Sequence, residues 1–416
     1  MEKYITALEI TSSCIRLLVG YYYEKTVYVL HALESDKAFL VNGRIQDEEE
    51  MADAIKELVG SASASLGMPI TSVVLGLPSL SLKVVSAKAE TMTTDPESHI
   101  QNFDGVNLIT MIAKQKKLAD NEKTVDVVPY EYYDDDAEGL TAFPLGKRSR
   151  QLGMKADVEI NDALLYRTFE NAVHKADLTI DKIVDITNAT VKYISSFQPT
   201  SQEFIFIDIG EKMSTIGHSY GGRLFQAQVV RFGKETICES VAKELGIPLD
   251  KAREGVELYG ISKEPPFAFK TKEGYTLTKL SEAIIHSLSL IEDSISTFEL
   301  SISESARNLF LMSGEGSTIF GLEDQIAAYF KNHVVLFTPN SFGARNRAYT
   351  HCLALVAYYA TYPIKPSPQR PVDLTLTRMN PVVGASQNGN VNRHNDNPDN
   401  GRKDEPSPLD SGDEIL

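Results

Sequence analysis

Two stretches decide the fold: residues 4–20, YITALEITSSCIRLLVG, and residues 203–219, EFIFIDIGEKMSTIGHS. Each predicts a strand, a short polar loop and a second strand, because apolar β-formers flank a few polar residues. An acidic residue takes the same place before each loop, Glu9 in the first stretch and Asp208 in the second. Each stretch is followed by a further predicted strand. Two such units in one chain predict a duplicated α/β fold.

The composition excludes several classes of protein. Hydrophobic residues make up 42% and charged residues 24%, which are ordinary values for a globular chain. The formal net charge of −16 would repel a nucleic-acid backbone or an anionic lipid surface, and the sequence contains no strong basic patch. We therefore expect no nucleic-acid partner. The three cysteines have no zinc or disulfide spacing and no secretory signal pattern is present, so we expect a cytoplasmic protein.

A third polar turn is SGEGS, residues 313–317, between a predicted strand at 308–312 and a helix that starts near Gly321. Phosphate groups need backbone N–H donors at close range, which favours glycine, serine and threonine in turns. A carboxylate at a strand end can hold the waters of a Mg²⁺ ion. Two acidic hairpins followed by a glycine-rich turn therefore predict a nucleotide cleft.

This order of turns resembles the actin, Hsp70 and hexokinase superfamily, and further segments resemble its FtsA family of bacterial cell-division proteins. The most specific segment is VVPYEY at 127–132, followed by PLG at 144–146 and GMKA at 153–156. It is similar to a run in the inserted subdomain of that family. Shorter segments at 43–47 and 251–260 agree. The resemblance implies an actin-like (RNase H-like) α/β fold, with two lobes around the cleft and an SHS2-like inserted subdomain.

The resemblance covers about residues 4–362 and implies a division of the chain. The predicted segments are the first lobe at 1–87, the inserted subdomain at 88–166, the remainder of the first lobe at 167–200, the second lobe at 201–230, its small subdomain at 231–305, the second lobe with a closing helix at 306–363, and a disordered tail at 364–416. The tail contains no aromatic residue and is rich in proline, asparagine and aspartate. Such a segment cannot bury enough apolar surface to offset its ordering entropy.

Apolar periodicity predicts several helices outside the hairpins. Those relevant below lie at 46–58, 104–119, 161–176 and 277–304. The third is expected to start at Asn161 as its N-cap. The fourth has apolar residues at steps of three and four throughout, which predicts one long helix with a buried stripe.

The resemblance implies that ATP and Mg²⁺ bind at the three turns. The implied nucleotide contacts are Glu9, Ser12, Ser13, Asp208, Gly210, Lys212, Ser214, Gly314, Gly316 and Ser317, with Asp208 as the metal partner. The same turns depart from the family pattern. Thr11 replaces a glycine, Glu211 would repel a phosphate, which Lys212 could offset only in part, and Glu315 replaces the middle glycine of the third turn. We therefore expect weak nucleotide binding or none, without efficient hydrolysis or a catalytic residue.

Other interpretations of single motifs remain. Asp208 at a strand end is also typical of a turn or capping residue. Residues 217–221, GHSYG, match the G-x-S-x-G pattern of esterases, but that motif needs a strand-to-helix turn and a strand is predicted to follow here. The histidines without metal-ligand spacing, for which we expect structural or exposed roles, are His174, His218, His286 and His351.

The function implied by the resemblance is that of a cell-division adaptor. Such a protein binds the C-terminal peptide of the tubulin-like protein FtsZ, self-assembles partly through its inserted subdomain, and recruits later division proteins at the cytoplasmic face of the septum. The peptide would dock on the small subdomain at 231–305, with Lys243, Lys251 and Arg253 as positive partners. The alternatives are a PilM-like pilus or secretion scaffold, and an active ATPase or small-molecule kinase that the altered turns disfavour.

The acidic C-terminal segment argues against direct membrane insertion. Residues 403–416, KDEPSPLDSGDEIL, carry five acids and one base, and two prolines break any helix there. An amphipathic lipid-binding helix needs a basic face and large apolar residues on the other. We therefore expect the chain to reach the septum through its partners.

Overall fold

The computed structural model of the chain describes residues 4–364 except 36, 38–39, 42–43, 137, 198–201 and 263–269. The predicted disordered tail therefore lies outside the described residues, apart from Ile364. The strands are β1 (Ile5–Ile10), β2 (Ile15–Tyr23), β3 (Thr26–Ser35), β4 (Leu40–Val41), β5 (Arg44–Ile45), β6 (Ser72–Leu77), β7 (Lys83–Met92), β8 (Glu122–Asp134), β9 (Gln151–Asp162), β10 (Thr179–Asp185), β11 (Glu203–Ile209), β12 (Ser214–Tyr220), β13 (Arg223–Val230), β14 (Leu309–Ser313) and β15 (His333–Leu336). The helices are α1 (Glu48–Leu66), α2 (Asn102–Gln115), α3 (Ala163–Lys175), α4 (Ile186–Ser195), α5 (Lys234–Leu245), α6 (Leu249–Tyr259), α7 (Leu277–Ser287), α8 (Ser289–Leu300), α9 (Leu322–Phe330) and α10 (Thr350–Thr361).

The first lobe is built on a mixed five-stranded sheet in the order β10-β6-β1-β2-β3. β1 and β2 form an antiparallel hairpin in which Glu9 lies opposite Arg16, whereas β6 pairs in parallel with both β1 and β10. The central strands are buried on both faces, which explains their almost continuous apolar sequences. Helices α1 and α3 contribute to the core on one face, and α4 and α10 to the core on the other.

The second lobe repeats this arrangement in the order β13-β12-β11-β14-β15. β11, β12 and β13 are antiparallel neighbours, while β14 pairs in parallel with β11 and β15. Asp208 lies near the end of β11, as Glu9 lies near the end of β1. Helices α5 to α9 contribute to the core of this lobe. The duplicated α/β fold that the two hairpins predicted is therefore confirmed.

A separate antiparallel sheet in the order β7-β9-β8 interrupts the first lobe. With α2 it runs strand, helix, strand, strand along residues 83–162; we call this unit the inserted subdomain. The predicted range of 88–166 begins inside β7 and ends inside α3. Asp126 on β8 ties the unit to the first lobe, since its carboxylate accepts bonds from Lys182 Nζ and Tyr358 Oη, each at 2.8 Å.

Two predictions about helices are wrong. Residues 277–304 do not form one helix, because α7 ends and α8 begins at the buried Leu288, whose N–H bonds the carbonyl of Ile285 at 3.1 Å. The N-cap of α3 is Asp162, whose Oδ1 accepts from the N–H groups of the first turn. Asn161 belongs to β9 instead, and its amide donates to the Pro78 carbonyl at 3.0 Å.

Among the described helices, none combines the length and the apolar character that crossing a bilayer requires.

Candidate nucleotide-binding cleft

The predicted cleft exists where the ends of β1, β11 and β14 converge. A cavity of about 120 Å³ lies there, lined by residues of both lobes. The predicted contacts that line it are Glu9, Ser12, Ser13, Asp208, Gly210 and Gly314. The fold therefore brings the three turns together around one cavity.

Four of the predicted contacts lie away from this cavity. Lys212 points to Glu235 at the start of α5, with 3.7 Å between Nζ and Oε2. Ser214 is buried and donates to the Phe232 carbonyl at 2.7 Å, and Ser317 donates to the Gly314 carbonyl at 2.6 Å. Gly316 packs against Ile209 so closely that a Cβ would lie 2.4 Å from Cγ2 of that residue. None of the four lines the cavity, and their role as nucleotide contacts stays a prediction.

The first turn is closed by the side chain of Thr11. Its Oγ1 accepts from the N–H groups of Ser13 at 3.2 Å and Cys14 at 3.0 Å, and lies 3.0 Å from the Cys14 carbonyl, to which it donates. Backbone N–H groups in such a turn are the natural donors to a phosphate. Here the hydroxyl of the substituted residue already uses two of them.

His351, at the start of α10, links the two acidic residues that end the equivalent strands. Its Nδ1 lies 2.6 Å from Glu9 Oε1, and its Nε2 lies 3.4 Å from Asp208 Oδ2. Glu9 is only 1% exposed. The other oxygen of Glu9 faces Cys352 Sγ at 3.6 Å and Arg16 Nη1 at 3.7 Å. Glu9 is thus enclosed by groups of the first lobe, whereas His351 also reaches the second lobe.

The pKa values of this group follow from its charges. Burial lowers the pKa of His351, but the carboxylates of Asp208 and Glu9 outweigh burial and raise this pKa to about 10. Burial raises the pKa of Glu9, but the charges of His351 and Arg16 outweigh burial and lower this pKa. The imidazole is therefore a cation at neutral pH, lying between two carboxylates.

Arg16 is the second buried cation of the cleft. Its Nε donates to Glu34 Oε2 at 2.6 Å, and its Nη2 donates to Oε1 of Glu315 in the third turn. The guanidinium is almost fully buried. Glu315, which occupies a glycine position of the family pattern, therefore contacts a cation of the opposite lobe.

The second turn is bound by a side chain of α6. Arg253 Nη1 donates to Oε1 of Glu211, so the acidic side chain in this turn is paired. Gly210 is required at its position, because a Cβ would lie 2.7 Å from the Met213 carbonyl. Arg253, predicted as a contact for a partner, pairs with the cleft turn in the structure, and its role in partner binding stays a prediction.

Gly314 shapes the third turn with a φ of +89°, a conformation that favours glycine. A Cβ here would lie 2.4 Å from the Ile209 carbonyl oxygen and 2.7 Å from Asp208 Oδ1. That Asp208 oxygen is buried and has no hydrogen-bond partner among the described residues. The turn therefore packs directly on the end of β11, leaving Oδ1 of Asp208 against its backbone.

The residues present do not fit a bound Mg²⁺-nucleotide. The hydroxyl of Thr11 satisfies donors of the first turn, the ring of His351 lies between Glu9 and Asp208, and Glu315, paired with Arg16, places a side chain in the third turn where the family pattern has glycine. In the part of the chain that the structure describes, no group of three or more histidine, cysteine, aspartate or glutamate side chains is arranged to hold a metal ion.

Sequence reasoning missed Arg16 and His351 as cleft residues. A signal for Arg16 was available, because it lies directly opposite Glu9 in the predicted hairpin. His351 is separated from Glu9 by most of the chain and carries no local pattern. Lys243 and Lys251, predicted for partner binding, lie outside the cleft on α5 and α6.

Comparison with solved structures defines the class of fold. The chain superimposes on the PilM–PilN type IV pilus biogenesis complex with a TM-score of 0.59 and 14% identity, covering 86% of this chain and 99% of that one. For MreB5 of Spiroplasma citri bound to ADP, the TM-score is 0.51 with 11% identity, and the coverage is 87% and 97%. The chain therefore has the actin-like fold that the sequence predicted.

Sequence comparison identifies the relatives. The chain is 22% identical over 369 residues to the cell division protein FtsA of Streptococcus pneumoniae, covering 85% of this chain and 79% of that protein. It is 23% identical over 374 residues to FtsA of Enterococcus faecalis, with coverage of 85% and 82%. For FtsA of Bacillus subtilis the identity is 20% over 378 residues, with coverage of 86% and 83%. No family model matches the chain. The predicted resemblance to FtsA is confirmed.

Proposed function

We propose that the chain is a cell-division scaffold of the FtsA type, which binds the C-terminal peptide of FtsZ, self-assembles and brings later division proteins to the septum. The observation that carries this proposal is the similarity to FtsA along 85% of the chain, including the inserted subdomain. Nucleotide turnover is weak or absent, because the cleft residues do not fit a Mg²⁺-nucleotide. The chain therefore acts through its surfaces.

The FtsZ peptide is assigned to the small subdomain formed by α5 to α8. Lys251 and Leu258 lie seven residues apart on α6 and so share a face of that helix. Leu258 is 65% exposed, and Lys251 Nζ lies 2.7 Å from Glu254 Oε2 on the same helix. Lys243 is exposed on the preceding helix. An exposed leucine beside lysines suits a short peptide that is partly acidic and partly apolar.

The test measures binding of a fluorescent peptide, corresponding to the FtsZ C-terminus of the same organism, by anisotropy. A Lys243→Glu, Lys251→Glu double variant should weaken binding at least about tenfold, which corresponds to ~1.4 kcal/mol. Arg253 is left unchanged because it holds Glu211. The matched control is Lys56→Glu on α1, a half-exposed lysine of the first lobe.

Each result decides the proposal. Unchanged affinity in the double variant moves the contact off this subdomain, and absence of binding by the unmodified chain removes the FtsZ proposal. In that second case, a pilus or secretion scaffold of the PilM type becomes the better interpretation. Loss of binding in the Lys56→Glu control would show that the effect depends on net charge alone.

A further inference from the structure

We propose that the cleft is closed by the protein's own side chains: Thr11 Oγ1 takes the place of a phosphate oxygen, the His351 imidazole takes that of a divalent cation, and Arg16 joins the first lobe to Glu315 of the third turn. The two lobes are then held together without nucleotide. This inference extends the proposed loss of nucleotide turnover and does not depend on the identity of the division partners.

We call the set of side-chain contacts that closes the cleft the latch. Its first part is the bridge from Glu9 through His351 to Asp208. Glu9 lies on β1 of the first lobe and Asp208 on β11 of the second, and His351 starts α10, which packs on β1, β2 and β6 of the first sheet although 306–363 was predicted as part of the second lobe. Two carboxylates that face each other across a cleft repel, and the repulsion is strong where water is excluded. A closed actin-like cleft therefore needs a cation between them. In this chain an imidazole makes contacts of 2.6 Å and 3.4 Å to the two carboxylates.

The second part is the pair formed by Arg16 and Glu315. Arg16 is anchored in the first lobe by Glu34 and Glu9, and Glu315 belongs to the third turn of the second lobe. Glu315 is thus attracted across the cleft, whereas a phosphate in the same region would be repelled by it. Glu315, which replaces a glycine of the family pattern, therefore helps to close the cleft.

The third part is local to the first turn. Because Thr11 Oγ1 accepts two backbone N–H groups, this turn keeps its shape without an anion. The Thr11 hydrogen bonds, the His351 bridge and the Arg16–Glu315 pair therefore all favour the closed cleft. They make a compact cleft independent of a bound nucleotide.

Hydrogen exchange of the full chain, followed by mass spectrometry on peptides covering residues 9–16 and 208–215, tests the latch. We expect the unmodified chain to exchange equally with and without millimolar Mg²⁺-ATP. In His351→Gln and Glu315→Gln, the same peptides should exchange at least about tenfold faster, because lobe opening becomes easier. The control is Glu254→Gln, which removes an ion pair within α6 alone.

Strong protection of the unmodified chain by Mg²⁺-ATP would overturn the proposal, as would unchanged exchange in both latch variants. His351 is buried, so its variant could fail to fold, in which case the partly exposed Glu315 decides alone. A Thr11→Gly, Glu315→Gly variant provides an opposite test, since it should gain at least about tenfold in ATP affinity by calorimetry, or ~1.4 kcal/mol. No gain would show that these side chains do not occupy the place of the nucleotide. FtsZ-peptide anisotropy on the same proteins is an independent readout, so failure of the partner proposal leaves these results standing.

Discussion

Arg223 on β13 of the second lobe contacts Asp157 on β9 of the inserted subdomain at two points. Nε lies 2.8 Å from Oδ2, and Nη2 lies 2.8 Å from Oδ1. The guanidinium also lies 3.5 Å above the centre of the Tyr130 ring. Asp157 is held in place by Ser86, whose hydroxyl donates to it at 2.7 Å. The inserted subdomain, which branches from the first lobe, is therefore tied directly to the second lobe.

We predict that Arg223→Lys weakens this contact although the charge is kept. A lysine ammonium cannot make the planar two-point contact with a carboxylate or stack in the same way on an aromatic ring. The free energy of unfolding should fall by about 1–3 kcal/mol in denaturant titrations. The control is Arg150→Lys at an exposed position, which should change this free energy by less than ~0.5 kcal/mol. Equal stability of the two variants would contradict the structural role of Arg223.

A second prediction concerns the packing of helices on the first sheet. A Cβ on Gly76 of β6 would lie 2.7 Å from Ile186 Cγ1 and 3.0 Å from Leu355 Cδ1, on α4 and α10. Gly76→Ala should therefore push these helices outward and cost about 1–3 kcal/mol. Gly60→Ala in α1 is the matched control, because nothing lies within 4 Å of its added Cβ. It should stabilise the chain by up to ~1 kcal/mol. Thermal denaturation should therefore show a lower melting temperature for Gly76→Ala and an unchanged or higher one for Gly60→Ala.

Much of the fold could be predicted because it is encoded locally. The hairpins that contain Glu9 and Asp208 can be recognised by apolar strands on either side of a short polar turn, and their repetition predicts the duplicated lobes. The helical break at Leu288 could not be predicted in this way. A single residue in helical conformation keeps the apolar stripe aligned across the break, so periodicity still reports the buried face but not the continuity of hydrogen bonds.

The site could be predicted only in part, for a related reason. Sequence placed the three turns at one cleft, because that follows from the order of strands. The partners of the unusual residues come from distant segments: Glu315 meets Arg16, and Glu211 meets Arg253. From sequence, both glutamates were interpreted only as obstacles to phosphate. Their pairing depends on tertiary packing, for which a single sequence carries no local signal.

A third prediction concerns self-assembly through the inserted subdomain. Phe103 and Met111, on α2, are 46% and 42% exposed, and Leu145 in the loop before β9 is 56% exposed. Exposed apolar side chains on one small unit are typical of an interaction surface. Phe103→Asp should therefore reduce the fraction of protein that sediments as polymer several-fold. Tyr23→Asp, at an exposed aromatic position of the first lobe, is the control, and sedimentation equal to that of the unmodified chain in both variants would move assembly to another surface.

A fourth prediction uses Asp185, the buried N-cap of α4. Ser79 Oγ lies 2.7 Å from its Oδ1, and the Asn188 N–H donates to it at 3.1 Å. Burial raises the pKa of Asp185 from 3.8 to about 6, although these bonds and the charge of His351 oppose the shift. The raised pKa means that the folded chain binds this proton more tightly than the unfolded chain does.

The sign of the pH effect follows from this difference. The contribution of Asp185 to stability is fully present below pH 3.8 and is lost as the pH rises through about 6, by at most ~3 kcal/mol. Asp185→Asn keeps an acceptor for the helix N-terminus but cannot ionise. The unfolding free energy of the variant minus that of the unmodified chain should therefore become more positive between pH 4 and pH 7, because only the unmodified chain loses this contribution. Nearby Glu159 is buried and also has a raised pKa, so a Glu159→Gln chain measured in parallel separates the two acids. A difference that stays constant over this range, measured by urea denaturation, would show that Asp185 titrates alike in the folded and unfolded chains.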